Sequence, residues 1–133
     1  MDNPKKLWAT GALFCLTAVI LGAMGAHALE KHLTVNQLNS FETGVRFQFF
    51  HGLALLIIPS ISFLTQKSKK LLYLFFTVGT IIFSVSIYLL TTDEIWNMDL
   101  GFLGPITPIG GSLLIIGWFI LLWKIISYKY VKD

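Results

Sequence analysis

The stretch LLYLFFTVGTIIFSVSIYLLTT, from Leu71 to Thr92, contains no Asp, Glu, Lys or Arg. A helix needs about 20 mostly apolar residues to cross about 30 Å of hydrocarbon, so this stretch is long enough to span a membrane. Similar uncharged stretches lie on either side of it, at Leu7–Leu29, Phe47–Gln66 and Leu100–Trp123. They lack the alternation of barrel strands, and backbone groups in lipid must otherwise be satisfied within helices. The sequence therefore predicts an all-α membrane protein, a four-transmembrane-helix bundle.

The composition agrees with a membrane protein. The chain has 133 residues, of which 55% are hydrophobic and only 13% charged, whereas about 25% of the residues of a soluble domain are charged. The net charge is +3, but the basic residues form short clusters between apolar runs, which excludes a basic face for nucleic acid. The single cysteine, Cys15, excludes an internal disulfide and a cysteine-rich metal site.

The distribution of lysine and arginine predicts the orientation. With four spans, both termini and the loop between the second and third spans share one side of the membrane. That side carries eight lysines, and the other side carries only Lys31 and Arg46. Basic residues accumulate on the cytoplasmic side, so we expect both termini in the cytoplasm. The eight are Lys5, Lys6, Lys67, Lys69, Lys70, Lys124, Lys129 and Lys132.

The first apolar stretch also has a second interpretation. Lys5 and Lys6 precede an apolar run that ends near Ala26-His27-Ala28, a pattern that fits a secretory signal peptide with its cleavage site. Its removal would leave three spans and disturb the alternation of charge between the loops. We therefore favour a membrane span over residues 7–29.

Two segments set the remaining boundaries. Thr34 can cap a helix, and the apolar residues of Thr34–Arg46 recur at three- and four-residue intervals. This pattern predicts a short amphipathic outer helix between spans 1 and 2 that runs into the second span. The second span is expected at about 47–66 and the third at 71–92. Thr107 followed by Pro108 is typical of a helix start, so the fourth span is expected at about 107–125. Residues 1–133 then form a single domain.

Two helix faces carry distinctive side chains. Small residues of the first span share one face, and Gly22 and Ala26 form a small-xxx-small pair on it. We expect internal helix packing there, with a homo-oligomer or protein partner as the alternative. The third span has a polar stripe that should face protein rather than lipid. Its members are Tyr73, Thr77, Thr80, Ser84, Tyr88 and Thr91.

The predicted topology gathers the remaining polar side chains at the outer side of the membrane. We define the outer polar cluster as His27, Glu30, Glu42, Arg46, Gln48, His51 and Thr107. One interpretation is a haem clamped by two histidines, and another is a transition-metal site that adds His32 and a carboxylate. A third is a structural network in which the polar groups satisfy one another. We favour the network, and assign no catalytic, cofactor-binding or metal-binding residue.

Three motifs resemble a known family. They are Gly22-Ala23-Met24-Gly25-Ala26-His27-Ala28-Leu29, the segment from Glu42 to Leu56 that contains Arg46-Phe47-Gln48, and the segment Phe102–Gly111 with Gly104-Pro105. The family is the small bacterial inner-membrane proteins called domain of unknown function 423, related to the transmembrane protein 256 group. Arg46-Phe47-Gln48 departs from the expected uncharged residue followed by Tyr-Gln. The resemblance implies the topology and a bacterial inner membrane, and it implies no activity.

These observations predict an uncharacterised integral membrane protein without enzymatic activity. A scaffold, an accessory subunit or a lipid- or protein-binding role fits the absence of phosphate loops, nucleophile elbows and metalloprotease motifs. Membrane lipids are the expected partners. Two alternatives remain: a small transporter or channel that uses the outer polar cluster, and a metal- or haem-binding membrane protein.

Overall fold

The computed structural model describes residues 4–129, which form four long helices and no strand. We label them α1 (Lys5–Leu29), α2 (Val35–Ile57), α3 (Gln66–Trp96) and α4 (Ile106–Ile126). Two π-helical turns, Gly25–Leu29 and Ile81–Val85, lie at the end of α1 and within α3. The prediction of an all-helical protein is confirmed. Lys132 and both chain ends lie outside the described residues.

Three segments are long and apolar enough to cross a membrane. They are Lys5–Leu29, Gln66–Trp96 and Gly101–Ile126, and each has a mean hydropathy near 2. They correspond to the first, third and fourth predicted spans. Helix α2 does not reach the same apolar composition, because the polar residues Glu42, Arg46, Gln48 and His51 lie within it.

Helix α2 corrects two predicted boundaries. The amphipathic segment predicted at Thr34–Arg46 does not appear as an element of its own, because Val35–Ile57 forms one continuous helix. Thr34 starts it through a capping box: its hydroxyl accepts from Gln37 N at 3.3 Å, and Gln37 Oε1 accepts from Thr34 N at 2.8 Å. The sequence offers no proline to end the helix near Arg46.

The C-terminal end of α2 lies earlier than the predicted boundary at Gln66. The helix gives way to a 3₁₀ turn, Ile58–Ser60, that contains Pro59, and proline supplies no N–H for a continuing helix. Lys69 Nζ donates to the Pro59 carbonyl at 2.8 Å. Thr65 then caps α3 by accepting from Ser68 N at 3.2 Å, so α3 begins at Gln66 rather than Leu71.

The start of α4 corrects the prediction that Thr107 is its N-cap. The helix begins at Ile106, and Pro105 precedes it with a helical φ of −67°. A proline at a helix start loses no bond, because the first N–H groups have no partner within the helix. The Thr107 hydroxyl is therefore free to contact another helix.

The helices pack mainly in three pairs: α1 against α2, α2 against α3, and α3 against α4. Glycines permit two of these close approaches. A Cβ on Gly11 would lie 2.7 Å from the Gly52 carbonyl oxygen, and one on Gly110 would lie 2.4 Å from the Phe83 backbone nitrogen. Gly22 also faces α2, where a Cβ would lie 3.4 Å from the Val45 side chain.

Apolar side chains fill the bundle centre and also cover its outside. Leu55, Leu72 and Phe76 are fully buried. Many large apolar residues are exposed, as expected of a surface that faces lipid. In α3, Thr80, Ser84 and Thr91 are buried, so the polar stripe of this helix faces the protein interior.

Candidate functional site

The seven residues of the outer polar cluster do not form one site in the structure. His27, Glu30, Glu42 and Arg46 are exposed, whereas Gln48 and His51 are buried and Thr107 is half-buried. Among the described residues, no hydrogen bond joins the side chains of two members of the cluster. Arg46 Nε instead lies 3.4 Å from the backbone carbonyl oxygen of Glu42.

The position of α2 explains this separation. Because α2 begins at Val35, a rise of 1.5 Å per residue places His51 about 24 Å along the helix axis. Gln48 and His51 therefore lie deep in the bundle, while Glu42 and Arg46 remain on the exposed part of the helix nearer its start. The members of the cluster that fall on α2 divide into an exposed pair and a buried pair.

Gln48 joins three helices through its side-chain amide. Its Nε2 donates to the Phe14 carbonyl of α1 at 3.0 Å and to Thr17 Oγ1 at 2.6 Å. Its Oε1 accepts from the Tyr88 hydroxyl of α3 at 2.9 Å. The amide has two N–H donors and one carbonyl, so each of these groups has a partner.

His51 joins α2 to α4, and both of its ring nitrogens are engaged. Trp118 Nε1 lies 2.9 Å from His51 Nε2, and His51 Nδ1 lies 2.7 Å from the Phe47 carbonyl oxygen. An indole N–H can only donate, so Nε2 accepts and Nδ1 carries the proton that bonds the carbonyl. The Phe76 and Trp118 rings stand edge-on to the imidazole, with centroids at 5.3 and 5.9 Å. The network assigns His51 a neutral tautomer.

Hydroxyl groups supply further links between helices. Ser84 Oγ donates to the Gly44 carbonyl at 2.8 Å, which ties α3 to α2. Ser86 and Thr107 pair their hydroxyls at 2.7 Å, which ties α3 to α4. In contrast, the buried hydroxyls of Thr77 and Thr80 have no hydrogen-bond partner.

The sequence interpretation did not assign Trp118 a role. The signal is its position: tryptophan in membrane proteins concentrates near the interfaces, whereas Trp118 lies in the interior of an uncharged run. An indole N–H there needs an acceptor, and the buried His51 supplies it. Within residues 4–129, no group of three or more His, Cys, Asp or Glu side chains is placed to hold a metal ion.

Comparison with known proteins identifies uncharacterised membrane proteins. A family model described as "Protein of unknown function (DUF423)" matches residues 21–111. A UPF0382 membrane protein of Staphylococcus aureus (strain bovine RF122 / ET3-1) is 41% identical over 120 residues, covering 90% of this chain and 93% of its own. The UPF0382 membrane protein YwdK of Bacillus subtilis (strain 168) is 35% identical over 124 residues, covering 89% of this chain and 94% of its own. No solved structure matches the chain with statistical significance.

Proposed function

The chain belongs to the DUF423 family of membrane proteins of unknown function, and from this premise we propose a non-enzymatic role in the bacterial inner membrane. The protein acts as a scaffold or as an accessory subunit of a larger membrane assembly. Both of its termini lie in the cytoplasm, and all four helices cross the membrane.

The length and surroundings of α2 support its assignment as a membrane span in addition to the three strongly apolar segments. Its 23 residues extend over about 34 Å at 1.5 Å per residue, enough for the hydrocarbon core. Its two deepest polar side chains, Gln48 and His51, are buried against the other helices rather than exposed to lipid. A moderately polar helix is compatible with a membrane when its polar groups face protein.

The observation that carries the non-enzymatic proposal is the use of the buried amide and imidazole. A catalytic centre needs a polar group that can meet a substrate, such as a base or a nucleophile. The amide N–H groups of Gln48 donate to Phe14 and Thr17, and its carbonyl oxygen accepts from Tyr88. His51 uses both nitrogens on Phe47 and Trp118. These contacts favour a role in holding the bundle together.

The exposed members of the outer polar cluster are the residues available to a partner. His27 lies in the last turn of α1 and Glu30 follows it, and Glu42 and Arg46 lie in the first half of α2. Ala26 is exposed beside them, while Gly22 is half-covered by the contact with Val45. A partner protein or a second copy of this chain would contact this end of the α1–α2 pair.

The experiment extracts the full chain from native membranes in mild detergent and measures the mass of the protein component. We expect a stoichiometric assembly larger than the 14.9 kDa chain. Exchanging Arg46 for Glu should weaken the assembly, and the same charge reversal at the exposed Lys124, near the end of α4, should leave it intact. A monomer of 14.9 kDa would contradict the proposal.

The alternative functions make different demands on the same residues. A histidine that bound haem or a metal through Nε2 would have to break the Trp118 bond. A transporter would need a continuous polar route, and the unpaired Thr77 and Thr80 hydroxyls are the observation that favours one. Ser84 and Thr91, on the same stripe, bond to backbone carbonyls, which favours a structural role for the stripe.

A further inference from the structure

A groove opens between α1 and α3 at the end of the bundle that carries Lys6. It encloses about 570 Å³ and is lined by Lys6 of α1 and by residues of the first turns of α3. We call this the lysine groove, and its lining residues are Lys6, Lys67, Lys70, Leu71, Tyr73 and Leu74. The Tyr73 hydroxyl forms a hydrogen bond of 3.1 Å with the Thr10 hydroxyl of α1, which joins the two helices at one edge of the groove.

The three lysines of the groove have no counterion among the described residues. None of Lys6, Lys67 and Lys70 forms an ion pair or a hydrogen bond with another residue of 4–129. The neighbouring Lys69 differs, because its ammonium group donates to the Pro59 carbonyl at 2.8 Å. The acidic residues within 4–129 all lie toward the opposite end of the helices: Glu30, Glu42, Asp93, Glu94 and Asp99. Among residues 4–129, the groove therefore presents three positive charges without an acidic partner.

An apolar surface continues from the lysines along the bundle. Leu71 and Leu74 are exposed by 40% and 55% and lie directly beside the charges. Further along, α1 and α3 border a second cleft of about 290 Å³, lined in part by Leu13, Phe14 and Ile81. The acyl chains of one leaflet span about 15 Å. Leu13, at the near end of this cleft, follows Lys6 on α1 by a rise of about 10 Å, so such a chain is long enough to reach the cleft.

We propose that the lysine groove binds an anionic phospholipid, with its phosphate at Lys6, Lys67 and Lys70 and an acyl chain along Leu71 and Leu74. Basic pockets between membrane helices on the cytoplasmic side favour such headgroups. Lysine ammonium groups bind phosphate as point charges. The inference rests on the proposed function, because it names a lipid partner of the non-enzymatic bundle.

The test measures lipid binding to the purified full chain in detergent by native mass spectrometry. The probes are dioleoyl phosphatidylglycerol and dioleoyl phosphatidylcholine, which share their acyl chains and differ in net charge. We expect phosphatidylglycerol to bind at least tenfold more tightly. Each of Lys6→Gln, Lys67→Gln and Lys70→Gln should weaken it about fivefold, and the triple variant should bind both lipids equally.

Lys124→Gln is the matched control, since Lys124 is an exposed lysine at the same end of the bundle but on α4. It should leave the preference unchanged. Inorganic phosphate at millimolar concentration should not displace the lipid, because the acyl chain along Leu71 and Leu74 contributes to binding. Displacement would mean that the groove binds phosphate rather than a lipid. Equal affinity of the native chain for both lipids, or an equal loss in Lys124→Gln, would overturn the proposal.

Two further results keep the test decisive. If the triple variant does not accumulate, the single variants carry the same comparison, because each lysine is solvent-exposed or at the groove edge. If the native chain shows no headgroup preference but still forms a stoichiometric assembly, the lipid site is wrong and the assembly proposal stands. If the native chain prefers phosphatidylglycerol but purifies as a monomer, the assembly proposal is wrong and the lipid site is supported.

Discussion

The indole nitrogen of Trp118 lies 2.9 Å from Nε2 of His51, and this bond joins α4 to the middle of the bundle. The two residues are 67 positions apart in the sequence. His51 is 4% exposed, so its Nε2 cannot turn to solvent if Trp118 is replaced. A buried polar group without a partner is more costly than the bond itself is favourable.

Replacing Trp118 with Phe should lower the free energy of unfolding by about 1–2 kcal/mol, because it leaves His51 Nε2 unpaired. Unfolding of the detergent-solubilised protein, followed by far-UV circular dichroism, measures the change. Trp123→Phe is the control, since Trp123 is 61% exposed. The double variant His51→Phe with Trp118→Phe should lose less than the sum of the single variants. Strict additivity would contradict a direct bond.

Gln48→Leu should destabilise the bundle by about 1–3 kcal/mol, because it removes the partner of the Tyr88 hydroxyl and two bonds to α1. Tyr88→Phe removes one of these bonds and should lose about 0.6 kcal/mol, the average for a hydrogen bond between membrane helices. Arg46→Gln, on the exposed side of the same helix, should change stability by less than about 0.5 kcal/mol. If Tyr88→Phe proved more damaging than Gln48→Leu, Gln48 would not be the centre of the network.

Gly110 and Gly111 offer a test of the contact between α3 and α4. A Cβ on Gly110 would lie 2.4 Å from the Phe83 backbone nitrogen, which cannot move without shifting α3. Gly110→Ala should therefore destabilise the protein by about 1–3 kcal/mol. A Cβ on Gly111 would lie 3.6 Å from the Phe83 ring, an ordinary contact. Gly111→Ala should be neutral or slightly stabilising, since alanine favours helix. Equal effects of the two changes would argue against the close approach.

The sequence alone predicts the strongly apolar helices well. The run from Leu71 to Thr92 lies wholly within α3, because an uncharged stretch of that length has few alternatives to a helix. The polar stripe of α3 also faces the interior as expected, shown by buried Ser84 and Thr91. These features depend on length and periodicity, which local sequence encodes directly.

The boundaries of α2 could not be predicted from apolarity. The second span is predicted to begin at Phe47 because the uncharged run begins after Arg46. The helix itself begins earlier, at Val35, because charged residues do not end a helix. The local signals that decide its ends are the capping box at Thr34 and the proline at Pro59.

The hydrogen-bonded side-chain pairs inside the bundle could not be predicted from the sequence for a different reason. Gln48 meets Tyr88 across 40 positions and His51 meets Trp118 across 67 positions. Such contacts depend on how the helices rotate and slide against one another. The sequence groups Gln48 and His51 with the outer polar residues, and only the packing of α2 against α3 and α4 shows that their partners are Tyr88 and Trp118.

The four-span topology predicts opposite labelling at the two ends of α2. In a Cys15→Ala background, which removes the native thiol, Asn36→Cys and Ser62→Cys place single cysteines just after the start of α2 and beyond its end. A membrane-impermeant maleimide applied to spheroplasts should modify position 36 and leave position 62 unmodified until the membrane is opened. Asn97→Cys and Lys129→Cys are the controls, since they flank the strongly apolar α4 and should be labelled on opposite sides of the membrane. Equal labelling at 36 and 62 would mean that α2 does not cross, and the lysines at the start of α1 and α3 would then lie on opposite sides.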